Sequence, residues 1–254
     1  MAFKRRRFRF PRYVPVAERQ QAAVRARLTL ADKGQALAPI VIEGRDIATT
    51  FWGEAWCENL ERYSDFANRL GRGRTYLRSG LVLDLQISPG AVTARVSGTD
   101  LYTVGISVTA VPKARWRAIC ADVAGAIDSV IGLLQGQLSK SVMARLCEKG
   151  TGLFPAPSEI RMRCSCPDAA VMCKHVAAVL YGVGVRLDRE PALLFTLRRV
   201  RQEDLVSRAG SGAALIRRRP RHTQRKTLDE SALAEVFGLD IAPKAGGKKS
   251  RTSR

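Results

Sequence analysis

The chain has 254 residues, a length for one or two domains, and its 46% hydrophobic and 26% charged residues are ordinary for a globular protein with a sizeable core. Its formal net charge of +20 is unusual and indicates an anionic partner rather than a particular fold. No apolar run reaches the ~18–20 residues of a membrane span, and no apolar segment follows the basic N-terminus, so we expect neither a membrane anchor nor a secretory signal. Three of the six cysteines fall in one tight cluster, which favours metal binding in a reducing compartment, and we therefore expect a cytoplasmic protein.

The positive charge is concentrated at the two ends of the chain. Residues 1–27 hold nine Lys and Arg against one Glu, and residues 217–254 hold eleven against four acidic residues. We therefore predict a basic extended arm over 1–16 and a basic, mostly disordered tail over 209–254. Such ends suit nucleic acid or another polyanion, and compositional drift in an Arg- and Ala-rich chain is the alternative explanation.

Between these ends, the first predicted elements are helices. Residues 17–33 are rich in Ala, Gln and Arg, which favours a helix. Apolar residues recur near helical spacing over Thr49–Leu70, which predicts an amphipathic helix. Gly71-Arg72-Gly73-Arg74 is typical of a helix stop followed by a turn.

The pattern then changes to alternation, which is typical of strands. Three antiparallel strands are predicted over 81–87, 91–96 and 102–108, and a Pro-Gly turn joins the first two. The remaining predicted elements are helices at about 113–134 and 137–149, a strand over 158–163, and helices over 175–186 and 190–207. The predicted fold class is therefore α+β, a small antiparallel β-sheet with packed helices and disordered basic termini.

Four good metal ligands stand within twelve residues: Cys164, Cys166, Cys173 and His175. Three thiolates and one imidazole are a ligand set of tetrahedral structural zinc, and four protein ligands leave no open position for catalysis. Cys164 and Cys166 are two apart, so both project to the same side of an extended segment. Residues two apart diverge on a helix, so Cys173 is expected at the helix cap with His175 in the first turn. We predict one structural Zn²⁺ at these residues, and packing of the thiols as small buried side chains is the alternative.

The pattern C-x-C-P-D-x₄-C-K-H, followed by an apolar helix, resembles the SWIM zinc finger of bacterial proteins. Looser matches over 50–56, 71–80 and 90–98 extend the likeness upstream. The resemblance implies a β-hairpin-like segment and a helix around one zinc, and it implies DNA or protein binding, in some relatives beside a helicase of the switch/sucrose-nonfermenting type. The chain then divides into a helix and β-hairpin body over 17–157, a SWIM finger with a β-turn-helix zinc module over 158–187, and a C-terminal helical extension over 188–208.

Six basic residues are candidates for nucleic-acid contacts. They are Arg72, Arg74, Arg78, Arg161, Arg163 and Lys174. The first three follow one another in and just after the Gly-rich turn, where they would line a loop that contacts phosphate. The last three flank the metal ligands beside a helix N-terminus, where backbone amides favour anions. A solvated basic surface is the alternative explanation for both groups.

No catalytic motif is present in the sequence, and Cys57, Cys120 and Cys147 lie on apolar helical faces where packing is the expected role. We therefore predict a non-enzymatic zinc-binding protein that binds nucleic acid, with DNA favoured and a helicase as the partner that the resemblance implies. The alternative is a protein–protein interaction adaptor whose basic arms bind no nucleic acid specifically. A salt series of DNA binding would separate the two.

Overall fold

The computed structural model describes residues 14–62, 67–124 and 139–205. Within these ranges, seven α-helices and one four-stranded antiparallel sheet confirm the predicted α+β class. The helices are α1 (Val16–Asp32), α2 (Phe51–Glu61), α3 (Ala67–Arg78), α4 (Lys113–Asp122), α5 (Lys140–Leu146), α6 (Lys174–Arg189) and α7 (Leu193–Leu197). The strands are β1 (Val82–Ser88), β2 (Ala91–Ser97), β3 (Leu101–Val108) and β4 (Ile160–Cys164).

The sheet has the strand order β1-β2-β3-β4, and every neighbouring pair is antiparallel. The predicted hairpin is confirmed, since β1 and β2 pair across a turn at Pro89 and Gly90, where Gly90 has φ 74°. Along β3, buried and more exposed residues alternate, because one face of the sheet packs on the core and the other meets solvent. β4 confirms the predicted short strand and joins the sheet beside β3, with Met162 opposite Ile106.

Helix α6 lies at the centre of the core. Twelve of its sixteen residues are buried, including one continuous run from His175 to Val185, as expected for a helix that is apolar on all sides. The indole Nε1 of Trp56 in α2 donates a hydrogen bond to the carbonyl of Leu180 at 2.8 Å. The segment predicted as a finger, 158–187, thus supplies both a strand of the common sheet and the central helix.

The predicted turn at Gly71-Arg72-Gly73-Arg74 is wrong, because these residues lie inside α3. The single helix predicted over Thr49–Leu70 is instead α2 and the start of α3. A Cβ on Gly73 would lie 2.5 Å from the Cβ of Ala177 in α6 and 2.8 Å from the backbone of that helix. Glycine is required here for the close approach of two helices, which the residue type alone does not distinguish from a helix stop.

Several predicted elements are shorter in the structure or fall partly outside the described residues. The helix predicted over 113–134 begins as expected but α4 ends at Asp122, and residues 125–138 lie outside the described ranges. Of the helix predicted over 190–207, α7 is present, Arg199 with φ 55° lies just beyond its end, and residues 204–205 are again helical. The predicted arm over 1–16 is outside the described residues except for its last three, and the tail over 209–254 is wholly outside them. None of the described helices is both long and apolar enough to cross a membrane.

Candidate metal centre

The first pair of candidate ligands is positioned by the end of β4. Because side chains alternate along a strand, Cys164 faces the core side and Arg163 faces the other side of the sheet. The ladder continues one residue further, since the Ser165 N–H donates to the Thr103 carbonyl at 3.0 Å and the Ser165 hydroxyl accepts from the Thr103 N–H at 3.0 Å. Cys164 and Cys166 therefore leave the sheet on one side, as the spacing predicts.

The second pair is positioned by the start of α6. Cys173 is the N-cap residue with extended backbone angles, φ −84° and ψ 170°, and His175 lies in the first turn. The loop between the pairs is fastened by Asp168, which accepts from the Ala170 N–H at 3.2 Å and from Arg69 of α3 at 2.7 Å. This placement of the two ligand pairs agrees with the arrangement predicted from the spacing.

The four ligand atoms of Cys164, Cys166, Cys173 and His175 all lie within 4.8 Å of one another. His175 Nδ1 is 3.8 Å from the Sγ of Cys164 and 3.8 Å from the Sγ of Cys173. A tetrahedral ion with metal–sulfur bonds of about 2.3 Å has ligand atoms about 3.8 Å apart. The cluster therefore fits one tetrahedral metal ion bound through Nδ1 and three thiolates.

Burial shifts the pKa values of three of the candidate ligands when no metal is bound. It raises the pKa of Cys164 to about 12, and it also raises the pKa of Cys173. Burial, with a smaller contribution from the neighbouring Lys174 charge, lowers the pKa of His175 to about 4. At neutral pH the imidazole is neutral and ready to act as a ligand, whereas the thiols must release their protons to a bound metal ion.

The imidazole of His175 is held between two tyrosine rings. The ring of Tyr102 lies beside it with centroids 4.6 Å apart, and Tyr76 contacts it edge-on at 5.2 Å. The Nε2 atom is buried, has no hydrogen-bond partner within the described residues, and lies 3.0 Å from the position that a Cβ on Gly98 would occupy. Sequence reasoning missed the role of Tyr102 and Gly98 at this site, because they precede the candidate ligands by more than sixty residues and their local sequence indicates only a strand and a turn.

Of the six basic candidates, Arg74 and Arg78 are occupied elsewhere. Arg74 pairs with Glu61 at 3.2 Å and lies 5.8 Å from the ring centroid of Tyr181. The Nε of Arg78 donates to the Arg45 carbonyl at 3.1 Å. Because α3 is helical through this region, these residues do not form the loop that the sequence predicted.

The other four candidates lie on two different sides of the molecule. Arg72 and Lys174 contribute positive charge near His175, and the Nζ of Lys174 lies 5.3 Å from the ring centroid of Tyr76. Arg161 and Arg163 are exposed on the face of the sheet opposite to the core, away from α6. The group predicted to flank the ligands is therefore divided by the sheet.

The remaining cysteines are placed as the packing interpretation expects. Cys120 is fully buried, and Cys57 and Cys147 are half-buried. Burial raises the pKa of both Cys57 and Cys147 to about 12, so their thiols are protonated at neutral pH. A protonated thiol is a poor nucleophile, which favours packing over covalent chemistry at these positions.

The fold and the four-residue cluster define an α+β protein with a candidate metal-binding site. The chain is 34% identical over 171 residues to the uncharacterized protein Rv2102 of Mycobacterium tuberculosis. The aligned region is 66% of this chain and 61% of that protein, so the chain spans less than two thirds of the relative's length. No protein-family model and no solved structure matches the chain.

Proposed function

We propose that the protein is a non-enzymatic SWIM-type zinc protein that binds nucleic acid. The observation that carries the zinc assignment is the convergence of three thiols and the Nδ1 of His175 within 4.8 Å. The bound ion supplies a cross-link, because it joins the end of β4 to the start of α6. Four protein ligands complete a tetrahedral shell, so the ion has a structural role.

Zinc fits the chemistry of the ligands better than harder ions do. Thiolates select soft or borderline metals, whereas Mg²⁺ and Ca²⁺ prefer oxygen ligands. Cys173 and His175 are buried, with only 1% and 3% of their surfaces exposed, which limits exchange of the ion with solvent. We therefore expect one zinc ion per chain.

Metal analysis of protein purified in reducing buffer tests the zinc assignment. The wild-type chain is expected to carry about one zinc, and Cys173→Ser is expected to lose most of it. Cys147→Ser is the matched control, since this half-buried thiol is outside the cluster and should leave the zinc content unchanged. Absence of zinc from the wild type, or full zinc content in Cys173→Ser, would contradict the proposal.

The nucleic-acid assignment is supported by charge. The whole chain carries +20, and four of the basic candidates make no ion pair within the described ranges: Arg72, Arg161, Arg163 and Lys174. Cations without acidic partners favour phosphate contacts, which release counterions from nucleic acid. The SWIM resemblance supports the same class of ligand, with a helicase of the switch/sucrose-nonfermenting type as the proposed partner.

Titration of the full chain against a short labelled DNA duplex at several salt concentrations tests this second part. The logarithm of the binding constant should fall linearly with the logarithm of salt concentration, by about 0.9 for each phosphate contact. If the chain does not bind the DNA duplex at low salt, this result contradicts the nucleic-acid role and favours a protein adaptor. Co-purification of a helicase from nuclease-treated lysate tests the partner, because nuclease removes associations that are bridged by nucleic acid.

A further inference from the structure

The outer face of the sheet, which points away from the helices, is polar and open. Along β3, the outward residues are Leu101 at its start and then the small residues Thr103, Gly105 and Ser107. A Cβ on Gly105 would have no atom within 4 Å, so nothing in the described structure covers the middle of this face. Arg161 and Arg163 of β4 project from the same face and are exposed. We refer to the outward residues of β2, β3 and β4 as the open sheet face.

We propose that the open sheet face binds the sugar–phosphate backbone of nucleic acid, with Arg161 and Arg163 on the phosphates. This inference rests on the proposed nucleic-acid function and assigns it to one surface. Two arginines on an exposed sheet are a different site from the Gly-rich loop and helix N-terminus that the sequence predicted.

The charge on this face is positive and without acidic partners at its β4 side. The side chains of Arg161 and Arg163 make no ion pair or hydrogen bond within the described residues. Arg95 of β2 adds a third charge, and its Nη1 bonds to the neutral amide of Gln35. Asp84, opposite Arg95 on β1, accepts from the Ala38 N–H at 2.9 Å and marks the far edge of the positive surface.

The register of the strands sets the spacing of the contact groups. Arg163 is opposite Gly105 and Arg161 is opposite Ser107, so the two arginines lie about 6.6–6.8 Å apart along the strand. The hydroxyls of Ser107 and Thr103 lie on the next strand, about 4.8 Å away, where they add hydrogen-bond donors for phosphate and sugar oxygens. Gly105 lies between them and leaves the backbone open to close approach.

The composition of the face favours backbone contacts over base recognition. No aromatic side chain projects outward from the four described strands, whereas proteins that bind unpaired bases stack them on aromatic rings. Arginine and hydroxyl contacts to phosphate position a nucleic acid without reading its sequence. The face therefore suits sequence-independent binding of a duplex.

A pair of double variants tests the assignment with the full chain and a short labelled DNA duplex. Arg161→Gln with Arg163→Gln is expected to reduce the salt slope by about 1.8, the loss of two phosphate contacts. The matched control is Lys113→Gln with Arg117→Gln, which removes the same charge from exposed positions on α4. The control should retain the wild-type slope, and unchanged zinc content in both variants verifies the fold.

The outcomes separate this inference from the proposed function. If the wild type binds DNA and the two double variants have equal slopes, the open sheet face is not the site although the function holds. If the wild type does not bind DNA at low salt, both the proposed function and the assignment of this site are contradicted.

Substitution of Gly105 gives a second test that leaves every arginine in place. Gly105→Glu introduces a negative charge between Arg163 and the hydroxyls, so it is expected to weaken binding severalfold. Gly105→Thr fills the same open space with a neutral strand-forming residue and should change binding less. Equal affinities of the two variants would overturn the assignment.

Discussion

The imidazole of His175 lies against the phenol ring of Tyr102, with ring centroids 4.6 Å apart and an angle of 33° between the ring planes. Tyr76 contacts the imidazole edge-on at 5.2 Å. Because these rings fix its orientation, Nδ1 is held 3.8 Å from the thiols of Cys164 and Cys173. The ligand geometry therefore depends on side chains from α3 and β3 as well as on the ligands themselves.

Gly98→Ala is expected to weaken zinc binding by about 10-fold or more. The added Cβ would lie 2.7 Å from the Tyr102 ring and 3.0 Å from His175 Nε2, so the imidazole must shift away from its position. Competition with a chromogenic chelator measures the change in zinc affinity. Gly105→Ala is the control, because its Cβ would have no neighbour within 4 Å. Equal zinc affinities of the two variants would show that this contact does not orient the ligand.

Removal of the metal is expected to destabilise the common core and not only the loop that carries the cysteines. β4 pairs with β3, and α6 is the central buried helix, so both ligand pairs are anchored in the core. A ligand that binds only the folded state adds about 4 kcal/mol when its free concentration is a thousand times its dissociation constant.

Thermal or urea unfolding with and without chelator measures this loss for the wild type. Cys166→Ser should unfold at the lower, chelator-insensitive midpoint, while Cys147→Ser should respond to chelator as the wild type does. A chelator-independent midpoint in zinc-loaded wild type would contradict the expected coupling.

The buried guanidinium of Arg198 makes a second cross-link, to Glu159 before β4. Its Nη2 donates to the Glu159 carboxylate at 3.1 Å and its Nη1 donates to the Thr109 carbonyl at 2.8 Å. Partial burial disfavours ionisation of Glu159, but the Ala156 N–H and the Arg198 charge outweigh it and hold the pKa of this carboxyl below its usual range.

Glu159→Gln is expected to cost about 3 kcal/mol near neutral pH, because it leaves the buried Arg198 without its anion. Since the folded pKa is depressed, the wild-type contribution is complete above the unfolded pKa of about 4.3 and is lost as the pH falls through the folded value. The variant should therefore show a flatter decline in stability below about pH 5. Urea unfolding across this pH range measures it, and exposed Glu148→Gln should change stability by less than about 0.5 kcal/mol. Parallel pH profiles of Glu159→Gln and the wild type would contradict this account.

Local pattern was sufficient to predict the hairpin and the position of each candidate ligand in the fold. Buried residues alternate with more exposed residues along β1, β2 and β3, because one face of the sheet is buried and the other is open. This alternation is visible in the residue types of the sequence. The placement of Cys173 at the helix cap followed from the angular separation of residues two apart, which is a property of any helix.

Tertiary contacts decided what the pattern did not predict. Gly73 meets the backbone of α6, so a residue that commonly ends a helix lies within one. Arg163 and Lys174 flank the ligands in the sequence, yet the pleat directs Arg163 to the opposite face of the sheet. Pairing of β4 with β3 and burial of α6 likewise depend on distant partners, which a motif of twelve residues does not contain.

Two glycine substitutions in one helix are expected to change stability in opposite directions. Gly71 and Gly73 both lie in α3, so replacement by Ala brings the same gain in helix propensity, about 0.5–1 kcal/mol. A Cβ on Gly71 would have no atom within 4 Å, and Gly71→Ala should therefore be stabilising. A Cβ on Gly73 would overlap Ala177, and the forced separation of the two helices should make Gly73→Ala destabilising by about 1–3 kcal/mol.

Urea unfolding of the zinc-loaded variants measures both effects, and zinc affinity supplies a second reading. Ala177 lies two residues beyond His175 in α6, so displacement of this helix by Gly73→Ala also moves a candidate metal ligand. Gly73→Ala should consequently bind zinc more weakly than Gly71→Ala, although neither glycine contacts the metal ligands directly. Equal stabilisation by both substitutions would mean that α3 and α6 do not approach as closely as the structure places them.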